Sequence, residues 1–105
     1  MRLARVMGHV TLHRRLDELP TGALLLCETL DAQAVQHIAT GQRRAEPMSE
    51  SLVVLDELGA GVGCVVAVAD GREASMPWWP EHRPVDSYCV AIIDTVNVKP
   101  ELMSA

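Results

Sequence analysis

Aromatic residues are scarce in this sequence. Of its 105 residues none is phenylalanine, one is tyrosine (Tyr88) and two are tryptophan (Trp78 and Trp79). Apolar residues nevertheless make up 49% of the chain, so the core must be aliphatic and built mainly from Val, Leu, Ile and Ala. This length corresponds to one domain with a small core, for which association with other subunits is a ready source of stability.

Positive charge is also in short supply. Nine Lys and Arg stand against fourteen Asp and Glu, which gives a net charge of −5 and a pI near 5.2. This balance disfavours nucleic-acid partners, which need a basic surface, and anionic membranes. No stretch approaches the ~20 consecutive apolar residues of a membrane span, and residues 1–6 lack the apolar region that follows in a signal peptide. We therefore expect a cytoplasmic protein with neither a membrane nor a nucleic-acid partner.

Residues that could carry out chemistry are few and scattered. The three cysteines, Cys27, Cys64 and Cys89, lie in apolar, strand-like runs, and we expect them to be small buried hydrophobic residues. His9 and His13 are four residues apart at the end of a predicted strand, without the intervening Glu of a metalloprotease motif, and are expected to be solvated. No cysteine has a general base beside it in the sequence. We predict no catalytic, cofactor-binding or metal-binding residue.

Five segments have the length and residue types of β-strands: residues 3–12, 23–30, 52–56, 62–69 and 87–94. Gly8 predicts a bulge in the first strand, and the nearly continuous apolar run of the second predicts burial of both faces, the outer one against another subunit. A short sixth strand is predicted at residues 95–98.

Between the second and third strands, Asp31 is expected to cap a short helix over residues 32–39, which a charged loop over residues 42–50 follows. This pattern predicts an all-β fold, a small, partly open five-stranded OB-like barrel with one short helix in a loop. The domain is expected to span residues 1–98, with a C-terminal tail over residues 99–105.

A glycine-rich stretch between the third and fourth predicted strands is the most distinctive feature of the sequence. Gly59, Gly61 and Gly63 alternate there, which permits positive φ angles and removes side chains that would keep a neighbour away. The spacing is too narrow for a dinucleotide-binding motif, a strand follows where a helix would be needed, and the Lys-Ser/Thr of a P-loop is missing. The pattern therefore favours close approach of another copy of the backbone over phosphate binding.

Two further groups of residues could have a role at the surface. Trp78 and Trp79 lie in the predicted loop over residues 72–84 and are expected to be a hydrophobic anchor, either at a subunit boundary or as a plug of the barrel. Asp56, Asp86 and Asp94 each follow or precede a strand. Acid–base catalysis would need two of these carboxylates in one cleft, whereas backbone capping or an inter-subunit ion pair needs only one.

Three stretches of the chain together resemble the EutN/CcmL family, the pentameric vertex proteins of bacterial microcompartment shells. They are residues 1–10 (MRLARVMGHV), 53–63 (VVLDELGAGVG) and 83–94 (RPVDSYCVAIID), in the order typical of the family. The resemblance implies a barrel that assembles as a cyclic homopentamer, without catalysis or a cofactor. It also implies that the pentamer closes the five-fold vertices of a shell by docking against hexameric or pseudohexameric shell proteins.

The resemblance also implies roles for particular residues. By analogy, the turn at Gly59, Ala60, Gly61, Val62 and Gly63 would lie where subunits converge near the five-fold axis. The residues that match the structural motif of the family are Asp56, Pro84, Val85, Asp86 and Asp94. The chain departs from the family pattern at Cys64, at residues 71–75, in the Trp78-Trp79 loop and in the longer connection over residues 31–50.

Two other functions remain as alternatives at this point. An OB-like barrel could bind single-stranded nucleic acid, although the acidic charge and the scarcity of aromatic residues disfavour it. A small hydrolase would need Cys64 or Cys89 to meet a histidine in a pocket.

Overall fold

Five β-strands form the fold of the protein. The computed structural model describes residues 1–39 and 50–103, and the strands are β1 (Arg2–Val10), β2 (Ala23–Thr29), β3 (Ser51–Asp56), β4 (Val65–Asp70) and β5 (Ser87–Ile93). They form a closed barrel in the order β1-β2-β3-β5-β4. Four of the pairings are antiparallel, and the fifth is a short parallel contact between Leu55 of β3 and Tyr88 of β5. The predicted five-stranded barrel is confirmed, but it is closed by this contact rather than partly open.

Short helices connect the strands. Helix α1 (Ala32–Ala39) begins as predicted, because the Asp31 carboxylate accepts a hydrogen bond from the backbone N–H of Ala34 at 2.8 Å. The prediction of an unstructured loop over residues 72–84 is wrong at its start, where helix α2 (Arg72–Ser75) and a 3-10 turn (Met76–Trp78) follow β4. Ala74 of α2 is fully buried, and this burial fixes the segment in place.

The C-terminal prediction also needs correction. Residues 94–99 form no strand, and helix α3 (Pro100–Met103) follows them. The predicted sixth strand is therefore wrong, since residues 95–98 have the side chains of a strand but find no partner strand within the described chain. The predicted charged loop lies outside the described residues except for Glu50.

The core is aliphatic, as the composition requires. The inward faces of the strands alternate with outward ones, so that Ala4 and Val6 of β1 and Leu25 and Cys27 of β2 are at most 1% exposed. The main cluster comprises Ala4, Val6, Leu25, Cys27, Val54, Ala60, Val66, Val68 and Cys89. The second face of β2, with Leu24 and Leu26, is only half-buried within the single chain. The single chain therefore buries one face of β2 completely and the other face only in part.

Two irregularities shape the barrel near its glycine-rich end. The pairing of β1 with β2 shifts register between Val6 and Gly8, which confirms the predicted bulge. Strand β4 begins at Val65 and not at Val62. Gly63 has a φ of +92°, which is incompatible with a regular strand, so that Val62 to Cys64 belong to the turn. Cys64 is consequently half-buried rather than part of a buried strand.

Candidate functional site

A single carboxylate organises the turn between β3 and β4, residues 57–64, which we name the glycine turn. Asp56 is only 2% exposed. Its carboxylate accepts backbone hydrogen bonds from Leu58 and Gly59 at 3.0 Å and from Ala60 at 2.8 Å. These bonds satisfy donors that the tight turn cannot pair otherwise. Asp56 therefore has the capping role that was one of the two predicted for the strand-end aspartates.

The far end of the glycine turn is bonded to β1. The Gly63 N–H donates to the Val6 carbonyl at 2.9 Å, and the Val6 N–H donates to the Cys64 carbonyl at 2.9 Å. Between the hydrogen bonds to Asp56 and those to Val6, Ala60 packs into the core and is 6% exposed. The turn is therefore held at both ends and in the middle, and its conformation does not depend on contacts with another molecule.

The three glycines of the turn differ in what they require. Gly59 and Gly63 have φ angles of +89° and +92°, where side chains are disfavoured, whereas Gly61 has no positive φ. The freedom to adopt a positive φ, which the sequence offers at all three positions, is therefore used at Gly59 and Gly63 and not at Gly61. A Cβ atom added at any of the three would meet no described atom within 4 Å. The outer surface of the turn is open, and it carries the exposed side chains of Leu58 and Val62.

Two buried thiols lie near the Asp56 carboxylate. Burial, followed by the negative charge of Asp56, raises the pKa of Cys27 to about 11. Burial, followed by the nearby Asp56 carboxylate, raises the pKa of Cys89 to about 12. Both residues therefore remain thiols at neutral pH, and the thiolate is the nucleophilic form. This environment is opposite to the one that a cysteine hydrolase requires.

Asp56 does not share a cleft with the other residues that match the family motif, which are Pro84, Val85, Asp86 and Asp94. Val85 is buried in a second small cluster with Leu55 and Ala74, whereas Pro84, Asp86 and Asp94 are exposed. The Asp86 carbonyl accepts a hydrogen bond from the Gly71 N–H at 2.8 Å. Within residues 1–39 and 50–103 neither Asp86 nor Asp94 has a side-chain hydrogen bond, and no group of three or more His, Cys, Asp or Glu could hold a metal ion.

The two tryptophans have different environments. Trp78 is half-buried and packs edge-on against Tyr88, with ring centroids 5.1 Å apart. Trp79 is 57% exposed and lies edge-on to His82. The Tyr88 hydroxyl donates a hydrogen bond to Glu57, and this bond together with burial raises the pKa of Tyr88 to about 12. Trp78 is thus an anchor within the chain, and Trp79 remains at the surface.

A groove on the outer face of β2 and β3 was missed in the sequence reasoning. Two adjoining depressions of about 350 Å³ each share Leu19, Leu24 and Leu55 in their walls. The signal for it was the nearly continuous apolar run of β2, whose second face lies at the groove. The segment containing Leu19, which precedes β2, could not be placed there from its sequence.

In the part of the chain that the structure describes, every helix is too short to span a bilayer.

Comparison with known proteins gives consistent results over more than nine-tenths of the chain. A family model described as ethanolamine utilisation protein EutN/carboxysome matches residues 1–94. The carboxysome shell vertex protein CcmL of Synechocystis sp. is 35% identical over 98 residues, which cover 93% of this chain and 87% of the relative. The shell vertex protein PduN of Salmonella typhimurium is 32% identical, over 92% of this chain and 99% of the relative.

A solved structure has the same fold. The GrpN pentameric microcompartment shell protein from Rhodospirillum rubrum superposes with a TM-score of 0.73 at 28% identity, over 94% of this chain and all of that chain. The relatives are shell vertex proteins by name. These likenesses favour a structural protein over a nucleic-acid-binding module of the same barrel type.

Proposed function

The chain belongs to the EutN/CcmL family, and from that premise we propose that it is a structural protein that forms a ring of five and closes the five-fold vertices of a bacterial microcompartment shell. It would do so in the cytoplasm by docking against hexameric or pseudohexameric shell proteins. A flat layer of six-fold tiles cannot close on itself, and five-fold units supply the missing curvature. The role of the protein is then to supply the curvature that closes the shell, and we propose that it catalyses no reaction.

The observation that carries the placement of the ring axis is the glycine at position 61. Gly61 has no positive φ, and a Cβ atom there would meet nothing within 4 Å among the residues described. Neither backbone strain nor crowding within the chain therefore explains the missing side chain. Close approach of neighbouring copies does explain it, and we place the turn from Gly59 to Gly63 near the five-fold axis on this ground.

The rigidity of the glycine turn supports the same placement. Asp56 fixes three consecutive N–H groups, and β1 bonds the far end of the turn, so that five copies would present the same backbone without first having to order it. A pre-ordered contact surface lowers the entropic cost of association. The exposed side chains of Leu58 and Val62, 53% and 63% accessible in the single chain, supply apolar area for the contact.

The native mass tests the ring. Five copies of the 11.4 kDa chain give about 57 kDa, which light scattering coupled to size-exclusion chromatography separates clearly from a monomer. We expect the pentamer for the unmodified protein. A monodisperse monomer at micromolar concentration would refute the proposed function.

Replacement of Gly61 by valine tests the turn. The added side chain has free space in the single chain, so we expect a folded protein that no longer forms the ring. Ala39→Val, at the exposed end of α1, adds similar bulk away from the turn and should leave the ring intact. An intact pentamer for Gly61→Val would show that the turn lies away from the axis, without affecting the proposed ring itself.

A further inference from the structure

The groove on the outer face of β2 and β3 ends, near β1, in a pocket of about 350 Å³. We name it the loop pocket, because the segment that joins β1 to β2, residues 11–22, forms much of its wall. Its lining includes His9, Leu12, Arg15, Leu19, Leu24 and Leu55. This volume lies within the range of sites that bind ligands in proteins.

The shape of the loop pocket is fixed by contacts within the chain. A Cβ atom at Gly22 would lie 3.0 Å from the Asp56 carbonyl oxygen and 3.0 Å from a methyl group of Leu55, so the segment runs directly against the end of β3. The Arg83 guanidinium donates a hydrogen bond to the Glu18 carbonyl at 3.3 Å and ties the same segment to the loop before β5. A pocket whose walls are already ordered binds at a lower entropic cost than one that must first form.

The walls of the loop pocket are aliphatic. Leu55 is 3% exposed and Leu12 is 43% exposed, whereas Leu19 and Leu24 are half-buried. The exposed apolar residues of a small protein are usually scattered singly, and a continuous apolar depression is typical of a binding surface. The walls therefore suit an aliphatic side chain, which gains stability by leaving water.

The ionisable side chains of the loop pocket are basic. His9 and Arg15 line it, and among the residues that the structure describes no Asp or Glu does. The Arg15 guanidinium donates a hydrogen bond to the Thr21 hydroxyl at 3.4 Å but forms no ion pair within residues 1–39 and 50–103, so its charge is uncompensated. The chain as a whole carries a net charge of −5, so this pocket is a local exception. A guanidinium recognises a carboxylate through paired hydrogen bonds.

The loop pocket continues into a second depression of similar size. The two share Leu19, Leu24 and Leu55, and the second extends along the outer face of β3, where Val53 is 47% exposed. Its lining includes the exposed Asp86. The combined groove is therefore elongated, basic at the end near β1 and acidic at the other. An extended segment fits it best with a carboxylate near Arg15 and away from Asp86.

We propose that this groove is a docking site for an extended peptide segment of another protein, one with a carboxylate at one end and aliphatic side chains at alternate positions. The carboxylate pairs with Arg15 in the loop pocket. The aliphatic side chains share one face of the extended segment and lie against the leucines of the groove. The groove belongs to the single chain, so the inference goes beyond the proposed function and does not depend on it.

Peptide titration tests the proposal. The probes are two fluorescein-labelled synthetic peptides in which leucine alternates with serine, with a pair of glutamates at one end or at the other. Fluorescence anisotropy measures their binding to the full-length protein. We expect at least one of them to bind, and the same peptides with lysine in place of glutamate to bind about ten-fold more weakly or less, because a charge-assisted hydrogen bond is lost.

Substitutions in the loop pocket locate the site. Arg15→Glu should weaken the acidic peptide about ten-fold or more, whereas Arg15→Lys, which keeps the charge, should weaken it much less. Leu12→Ser should also weaken it, through the loss of apolar contact. Arg72→Glu is the matched control, because Arg72 is an exposed arginine of α2 outside the pocket, and its affinity should stay within about two-fold of the unmodified protein.

Three results would overturn the docking site: equal affinity for Arg15→Glu, equal affinity for the lysine peptides, or no binding of either acidic peptide at millimolar concentration. Circular dichroism and light scattering accompany each variant, and His9→Glu replaces Arg15→Glu if the latter does not fold. A folded Arg15→Glu that dissociated into monomers would assign the groove to a second copy of the chain and would also overturn the proposal. A monomeric unmodified protein would refute the proposed function, and the peptide titration would still decide the docking site.

Discussion

Replacing Asp56, the last residue of β3, by alanine should destabilise the protein more than a single substitution within the glycine turn. The substitution removes the acceptor of three backbone hydrogen bonds of 2.8–3.0 Å. Leu58 and Gly59 lie at the surface, where water can replace the lost partner, but Ala60 is 6% exposed and its N–H would be left without one. The cost is therefore dominated by the N–H group of Ala60.

The magnitude follows from these environments. A buried donor left without a partner costs about 1–3 kcal/mol, and each bond that water can replace contributes roughly 0.5–1 kcal/mol. We expect a loss of about 3 kcal/mol in the free energy of unfolding, which corresponds to a fall in Tm of roughly 12–20 °C for a domain of this size. Asp56→Asn should cost less, because its amide oxygen can still accept the two bonds from Gly59 and Ala60.

Thermal and urea unfolding, followed by circular dichroism and tryptophan fluorescence at one fixed protein concentration, measure the effect. Asp86→Ala is the control, since the described structure gives the exposed Asp86 side chain no hydrogen bond and its backbone carbonyl is retained. If Asp56→Ala unfolded within about 2 °C of the unmodified protein, or if Asp86→Ala lost as much, the capping role of Asp56 would be wrong.

Two further predictions follow from the ionisable groups. Tyr88 is the only tyrosine, so its absorbance near 295 nm should titrate at about pH 12. The neutral phenol bonded to Glu57 should stabilise the fold fully below pH 10, an effect lost as the pH rises through 12, and titration at pH 10 in the native protein would contradict this. Cys27 and Cys89, with pKa values raised to about 11 and 12, should resist iodoacetamide at pH 8 while the half-buried Cys64 reacts, as mass spectrometry would show. Rapid native modification of Cys27 or Cys89 would refute that assignment.

Local sequence patterns predicted those parts of the fold that depend on neighbouring residues. The alternation of β1, the bulge at Gly8, the cap at Asp31 and the aliphatic core all rest on short-range periodicity or on single residues with a clear conformational preference. The errors occur where burial overrides local preference. Helix α2 forms because Ala74 is buried in the second cluster, and residues 95–98 are not a strand because no strand among residues 1–39 and 50–103 pairs with them.

The sequence by itself determined an acidic chain with an aliphatic core and mostly β-strands, with a turn too rich in glycine for an ordinary strand connection. It also contained the family resemblance, because each of the three matching stretches is an unbroken run of residues. Only the tertiary structure decided which glycines the backbone requires, because φ angles at Gly59 and Gly63 depend on how Asp56 and Val6 hold the turn. It also decided where the groove on the outer face of β2 and β3 lies, because contacts between distant segments exist only after the barrel has closed.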